Sequence, residues 1–158
     1  MWEGNKEKEV VKAYVDGSYR NKKAAWAFVV IKDDNVIHEA CGVINDEQVN
    51  LGHQIGGECQ SVLKALQWAA EHNKQLIIYY DYIGLMKWVA DIIRPRCKPW
   101  RTNKEYTVAY RKTCLVYRDY IKDFVKVKSH SGVKWNEYVD SLAEKAYGQF
   151  ETKLQVIL

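Results

Sequence analysis

The chain has 158 residues, of which 47% are hydrophobic and 28% charged, and its formal net charge is +4. This length fits one domain whose core is large enough to fold without disulfide or metal cross-links. The composition argues against intrinsic disorder. Residues 1–9 form a charged leader without the apolar run of a signal peptide, and no segment approaches the roughly 20 apolar residues of a membrane span. We therefore expect a cytoplasmic protein.

The cysteines give no sign of a metal or redox motif. Cys41, Cys59, Cys97 and Cys114 include no C-x-x-C pair, so a zinc site has little support. Their even number is compatible with disulfides. Reduced, mostly buried thiols are the usual state of a cytosolic chain, and we expect that state here.

The first third of the chain predicts three antiparallel strands. Residues 10–16 are β-branched and aromatic with rough alternation, and residues 24–32 and 36–43 form a hairpin around the turn residues 33–35. After a polar stretch with three glycines, the apolar residues recur three and four positions apart. This change of period predicts a helix that Glu58 opens and that ends near Asn73.

The rest of the chain alternates between helices and strands. In chain order we predict a strand at 76–80, helices at 83–93 and 105–122, a strand at 124–128 and a helix at 134–150. The order β-β-β-α-β-α-α-β-α predicts an α/β fold with a five-stranded mixed sheet flanked by helices. We expect residues 10–150 to form the domain and residues 151–158 an apolar tail.

Four acidic residues occupy positions that suggest a metal site. Asp16 ends the first strand and Asp81 directly follows the apolar strand 76–80, so they lie side by side if these strands are parallel neighbours. Glu58 and Asp140 fall on the apolar stripes of their helices, which turns both toward the sheet. Four converging carboxylates repel one another and are costly to bury. A pair of divalent cations removes both costs.

Each of these acids also has a structural interpretation. Asp16 can belong to a strand-ending turn, and Glu58 can stabilise a helix N-terminus through the helix dipole. Asp81 can cap the next helix, and Asp140 can be a surface residue. Their joint placement favours the metal site over four independent coincidences.

Residues 94–104 read RPRCKPWRTNK, with five Lys or Arg and no acidic residue. Such a cluster is a candidate phosphate-binding surface, and the alternative is a solvated basic loop. Trp100 can stack on a sugar or base, or it can pack the loop onto the domain.

Together these motifs resemble the type 1 ribonuclease H family. The resemblance rests on D-G-S at 16–18, on Glu58 and Asp81, and on H-x-G at 130–132 followed by N-E-x-x-D-x-L-A at 136–143. It extends over residues 10–147, and its specificity lies in the order and spacing of the motifs. It implies the ribonuclease H-like fold and an endonuclease that hydrolyses the RNA strand of RNA/DNA hybrids, giving 5′-phosphate and 3′-hydroxyl ends.

The resemblance also implies a role for each acid. Asp16 bridges two Mg²⁺ or Mn²⁺ ions, and Asp140 completes the ion that activates the attacking water. Glu58 and Asp81 hold the ion at the leaving 3′ oxygen, with Glu58 close to a ribose 2′-hydroxyl. His130 assists proton transfer or product release; alternatively, it is an exposed loop histidine.

Substrate contacts follow from the same resemblance. The basic segment corresponds to the family's basic protrusion, which grips the DNA strand, whereas Ile55 departs from the common Asn or Gln. No separate hybrid-binding module precedes the first strand, and we expect a monomer with no membrane contact and no obligate protein partner. The residues expected to contact nucleic acid are Ser18, His53, Gln54, Arg94, Arg96, Lys98, Trp100, Arg101, Lys104 and Asn136.

Three other interpretations are compatible with the sequence. The first is another nuclease of the same superfold, such as an integrase, a junction resolvase or a proofreading exonuclease. The second is a binding module for hybrids or double-stranded RNA that has lost catalysis, against which the presence of all four acids argues. The third is a detached domain of a reverse transcriptase.

Overall fold

The computed structural model describes the backbone of residues 7–128 and 134–157, and the side chains of residues 7–128 and 134–148. Its centre is a five-stranded sheet with the order β3-β2-β1-β4-β5. The three N-terminal strands pair antiparallel, and β4 pairs parallel with both β1 and β5. The predicted mixed sheet is therefore confirmed. The strands are β1 (Glu9–Arg20), β2 (Lys23–Lys32), β3 (Asn35–Val43), β4 (Lys74–Tyr80) and β5 (Ile121–Lys126).

Six helices accompany the sheet in the described residues. Five follow the predicted regions, and the short α1 was not predicted; it begins because Asp46 Oδ1 accepts hydrogen bonds from the N–H groups of Gln48 and Val49. None of the described helices has the length and apolar character needed to cross a membrane. The helices are α1 (Glu47–Asn50), α2 (His53–His72), α3 (Gly84–Lys87), α4 (Ala90–Ile93), α5 (Glu105–Val116) and α6 (Lys134–Ile157).

Helices pack on both faces of the sheet, and the alternation of β1 divides its side chains between them. Ala13 and Val15 pack with the buried residues of α2 and α5. Tyr14 points the other way and packs with Val139 and Ala143 of α6. Because successive residues of a strand face opposite sides, this alternation directs Asp16 to the α6 face.

Two predicted helix boundaries were wrong in the middle of the chain. The helix predicted at 83–93 is two short helices, α3 and α4, because the backbone leaves helical geometry at Val89, with φ −130° and ψ 17°. Val89 and Trp88 are both buried, and β-branched residues such as Val89 are weak helix formers. The burial of these two side chains therefore outweighs the continuation of a single helix. The helix predicted at 105–122 ends at Val116, and a 3₁₀ turn at Arg118–Tyr120 follows it.

The last strand begins earlier than predicted, and the last helix is longer than predicted. β5 begins at Ile121 rather than at residue 124, because Ile121 pairs with Leu76 and is buried against the core. α6 continues past residue 150 to Ile157. The proposed domain boundary at residue 150 stays a prediction. All four cysteines are free thiols: Cys59 and Cys114 are buried, whereas Cys97 is exposed.

Candidate active site

Three carboxylates converge at the carboxyl end of the parallel strands. One oxygen from each of Asp16, Glu58 and Asp81 lies within 4.8 Å of the others. Two of them meet because β1 and β4 run in parallel, with Tyr14 opposite Tyr79. Asp16 and Asp81 therefore stand side by side, two residues beyond this pair, as the sequence predicted for parallel neighbours. The prediction that Asp16 ends the first strand was wrong, because β1 continues to Arg20 through its antiparallel pairing with β2.

Glu58 enters the same group from α2, which lies directly on the backbone of β1. A Cβ atom on Gly17 would lie 2.2 Å from the Glu58 backbone nitrogen, and one on Gly57 would lie 2.3 Å from the carbonyl oxygen of Ala25. Only glycine permits this approach at both positions. Glu58 lies in the second turn of α2, which begins at His53, so the prediction that Glu58 opens the helix was wrong by five residues.

Burial makes the charged form of this group expensive. Glu58 is 2% exposed, and its burial, followed by the nearby charges of Asp16 and Asp81, raises its pKa well above the usual value. Burial likewise raises the pKa of Asp16 from 3.8 to about 7, although the Glu58 carboxyl and the Gly17 N–H, which donates to Asp16 Oδ1 at 2.9 Å, act in the opposite direction. Without a cation to compensate their charge, both carboxyls therefore favour the protonated form more strongly than carboxyls in water do.

The donor set fits a hard divalent cation. Glu58 Oε2 is buried and has no hydrogen-bond partner among the described residues, although buried polar atoms are normally paired. Carboxylate oxygens are the ligands that Mg²⁺ and Mn²⁺ prefer. A cation among Asp16, Glu58 and Asp81 would supply both the missing partner and the missing charge.

The pH dependence of stability tests this electrostatic account. The folded-state pKa of Asp16, about 7, lies above its unfolded value of 3.8. The contribution of Asp16 to the free energy of unfolding is therefore fully present below pH 4, and it is lost as the pH rises through about 7. In EDTA we expect a lower melting temperature at pH 8 than at pH 5. Asp16→Asn should raise the melting temperature at pH 8 by roughly 5 °C or more, and Mg²⁺ should also raise that of the wild type. Calorimetry checks both results.

The matched control for this experiment is Asp33→Asn. Asp33 is an exposed turn residue with φ 51°, a conformation that Asn also tolerates. This substitution should leave the pH dependence unchanged. Equal melting temperatures of Asp16→Asn and wild type at pH 8 would contradict the repulsion among the three carboxylates.

Asp140 lies beside the group of three rather than within it. Its charge contributes to the raised pKa of Asp16, which places it near that residue. Asp140 is exposed, however, and the predicted sheet-facing position was wrong. Val139 and Ala143 form the buried stripe of α6, and Asp140 lies at the margin of that stripe.

A pocket of about 270 Å³ opens beside two of the carboxylates. Its lining consists of Gln54, Ile55, Glu58, Asp81 and Tyr82. Gln54 was predicted to contact nucleic acid, and the structure places it in this pocket. Tyr82 was not predicted, and its one signal in the sequence is that it directly follows Asp81.

His53, also predicted to contact nucleic acid, lies at the start of α2. Its ring stacks on that of Tyr19, with a distance of 4.5 Å between the ring centroids. Both side chains are exposed, so they form an aromatic pair at the end of β1. A contact with nucleic acid stays a prediction for both Gln54 and His53.

Two further predicted contacts have buried side chains. Ser18 Oγ donates a hydrogen bond to the Tyr147 hydroxyl at 2.9 Å, and this hydroxyl donates to the carbonyl oxygen of Lys23 at 2.9 Å. Asn136 is buried, and its Oδ1 has no partner within the described ranges. The Ser18 hydroxyl thus already forms a hydrogen bond with a residue of α6. Nucleic-acid contacts of Ser18 and Asn136 stay predictions. His130 lies outside the described residues.

The basic segment 94–104 is an exposed cationic surface. None of its five cations forms an ion pair with a residue that the structure describes. Trp100 is 44% exposed; its backbone N–H donates to the Lys87 carbonyl oxygen, and its ring meets that of Trp88 edge-on at 6.4 Å. One side of this ring therefore anchors the segment while the other is open to solvent. The five exposed cations are Arg94, Arg96, Lys98, Arg101 and Lys104.

The five-stranded mixed sheet, with its group of three carboxylates, has the ribonuclease H-like fold. The structure is similar to RNase H1 from the halophilic archaeon Halobacterium salinarum NRC-1, with TM-score 0.69 and 21% identity over 89% of this chain and 98% of that one. It is also similar to the N-terminal RNase H domain of a Mycobacterium tuberculosis protein, with TM-score 0.67 and 17% identity over 93% and 99%. At these identities the likeness shows the fold.

The chain belongs to the RNase H family, whose family model matches residues 8–147. This match confirms the predicted resemblance. It shows that the chain is a ribonuclease H, an enzyme that hydrolyses phosphodiester bonds. LC11-RNase H1, isolated from compost by a metagenomic approach, was solved in complex with an RNA/DNA hybrid; it has TM-score 0.58 and 16% identity over 87% of this chain and 99% of that one. Among curated proteins, no sequence matches the chain significantly.

Proposed function

We propose that this chain is an endonuclease that hydrolyses the RNA strand of RNA/DNA hybrids with two divalent ions, leaving 5′-phosphate and 3′-hydroxyl ends. The observation that carries the proposal is the group of Asp16, Glu58 and Asp81, which contains a buried Glu58 oxygen without a partner in the described part of the chain. The family match and the hybrid bound to LC11-RNase H1 support the choice of substrate.

Each acid has a part in the proposed mechanism. Asp16 would contact both ions, Asp140 would complete one, and Glu58 and Asp81 would complete the other. Bound Mg²⁺ or Mn²⁺ supplies Lewis acidity at phosphorus and lowers the pKa of the attacking water. The low exposure of Glu58 and Asp16 keeps bulk water from competing for the ligand oxygens, which strengthens their attraction for a cation.

The remaining residues would position the substrate and move protons. Glu58 would lie near a ribose 2′-hydroxyl, the group that separates RNA from DNA. The basic segment 94–104 would bind phosphates of the DNA strand. His130 would assist proton transfer or product release, since a histidine titrates near neutral pH.

The substrate assay tests the whole proposal. Purified protein is incubated with a labelled RNA/DNA hybrid and with matched RNA/RNA and DNA/DNA duplexes, in Mg²⁺, Mn²⁺ or EDTA, alongside Asp16→Asn. We expect cleavage of the hybrid's RNA strand alone, which stops in EDTA and in the variant. Tight hybrid binding without cleavage would indicate a binding module, and cleavage of DNA would indicate a relative of the resolvases or integrases.

Replacing His130 separates turnover from binding. His130→Ala should lower kcat about 10- to 100-fold, within the usual range for the loss of one acid–base group, and should leave KM close to the wild-type value. Steady-state kinetics on the hybrid measures both constants, with His72→Ala on α2 as the control. A rise in KM equal to the fall in kcat/KM would assign His130 to binding.

The proposal extends to the organisation of the protein. Residues 10–150 would form the catalytic domain, and the chain would act in the cytoplasm as a monomer with no obligate protein partner. Light scattering of the purified chain at the concentration of the assay tests the monomer.

A further inference from the structure

The pocket beside the carboxylates has two chemically different sides. Glu58 and Asp81 form its acidic side, whereas Ile55 and Tyr82 form an apolar wall, and both wall residues pack against the main core. The pocket volume of about 270 Å³ is below the usual range of complete small-molecule sites, about 300–1,000 Å³. The pocket therefore suits one unit of a longer substrate, such as a single sugar.

The ring of Tyr82 is held in a defined place. A Cβ atom on Gly84 would lie 2.3 Å from Tyr82 Cε1, so the glycine makes room for the ring at the start of α3. On the same side, the rings of Tyr82 and Trp88 lie 5.8 Å apart at 48°. These contacts fix the ring, and they leave Tyr82 half-buried in the pocket wall.

The hydroxyl of Tyr82 differs from those of the well-buried tyrosines. Tyr110 donates to the Leu85 carbonyl oxygen at 2.6 Å, and Tyr147 bonds to both Ser18 and Lys23. Tyr82 makes no hydrogen bond with any residue that the structure describes. Tyr82 lines the pocket, and its hydroxyl can both donate and accept a hydrogen bond, so this residue can offer a ligand an apolar ring and a hydrogen-bonding group.

A ribose matches this combination. Its C–H groups are apolar, and its 2′-hydroxyl both donates and accepts hydrogen bonds. Ile55 in the pocket wall fits the same ligand, since an aliphatic side chain packs on the C–H groups of a sugar and forms no hydrogen bond with a base. The neighbouring Glu58 and Asp81 place the pocket at the proposed site of cleavage.

We propose that Tyr82 is a specificity-determining residue that binds a ribose of the RNA strand next to the cleaved phosphate. Its ring and Ile55 pack on the sugar, and its hydroxyl forms a hydrogen bond with the 2′-hydroxyl of that sugar. This inference rests on the proposed function, because it requires an RNA strand at the carboxylates.

The test combines Tyr82→Phe with substrates that lack one 2′-hydroxyl. Tyr82→Phe keeps the ring and its packing, and it should lower kcat/KM on an all-ribose RNA strand about 2- to 10-fold, the effect of one neutral hydrogen bond. A series of hybrids then carries a single 2′-deoxy nucleotide at successive positions around the cleavage site. At one position the deoxy substitution should cost the wild type a similar factor and should cost the variant nothing further, as in a double-mutant cycle.

Tyr117→Phe provides the matched control. Tyr117 is also a half-buried tyrosine packed against the main core, and it lies beside the 3₁₀ turn near the start of β5, at the opposite end of the sheet. This control should retain wild-type kinetics on every substrate. If the losses from Tyr82→Phe and from each deoxy position simply multiply, or if Tyr82→Phe equals the wild type, the inference fails. If the wild type does not cut the hybrid at all, the proposed function itself fails.

Discussion

Replacing Asp81 with Asn is expected to lower kcat/KM for hybrid cleavage about 1,000-fold or more. Metal-ion stabilisation of the transition state contributes several kcal/mol, and each 1.36 kcal/mol corresponds to a factor of ten in rate. The Asn side chain has nearly the same volume as Asp but lacks the negative charge that a cation in the group of three would require. Single-turnover cleavage of a labelled hybrid in Mg²⁺ measures this loss.

The same substitution should not damage the fold. Asp81 belongs to a group in which burial and mutual repulsion raise the pKa values of Glu58 and Asp16, so removing one charge relieves repulsion in the metal-free protein. Thermal melting in EDTA should therefore show a stability equal to or above that of the wild type. Near-normal cleavage by Asp81→Asn would contradict its proposed role as a ligand. Asp33→Asn, the same change at an exposed turn, should retain full activity.

The sheet could be predicted because its signals are local. The period of two in the first strands and the apolar run before Asp81 are both visible in the sequence. The alternation of helices and strands then predicts a mixed sheet, in which Asp16 and Asp81 meet if β1 and β4 are parallel neighbours, and the structure shows that they are. The position of Glu58 also followed from its place on the apolar stripe of α2.

Other features depend on contacts between distant parts of the chain. Gly56 and Gly57 resemble a loop in the sequence, yet they lie within α2, because the helix must approach the backbone of β1 at Gly17. The exposure of Asp140 could not be predicted either. The apolar stripe of α6 on which it lies is wider in the sequence than the part of the helix that is buried against the sheet. Tyr82 acquires its place from Gly84 and Trp88, and neither contact has a periodic signal.

Removing four cations from the basic segment should weaken hybrid binding and flatten its salt dependence. Each phosphate contact that a cation makes adds about 0.9 to the slope of log K against log salt. If all four cations contact phosphates, the slope should fall by roughly 3 to 4, and the affinity at low salt should fall more than that at high salt. Fluorescence anisotropy with a labelled hybrid over a series of salt concentrations measures both. The variant is the combination of Arg94→Ala, Arg96→Ala, Lys98→Ala and Arg101→Ala.

A control with the same change in net charge distinguishes local contacts from the general field of the protein. Lys112, Arg118, Lys122 and Lys145 are exposed cations on α5, the 3₁₀ turn, β5 and α6, and their joint replacement by Ala also removes four positive charges. Long-range attraction would weaken equally in both variants, because it depends on total charge. Phosphate contacts at residues 94–104 would instead lower the salt slope in the first variant alone. Equal slopes in the two variants would therefore indicate that the basic segment is a solvated loop without phosphate contacts. The hybrid's DNA strand would then have to be bound elsewhere on the protein.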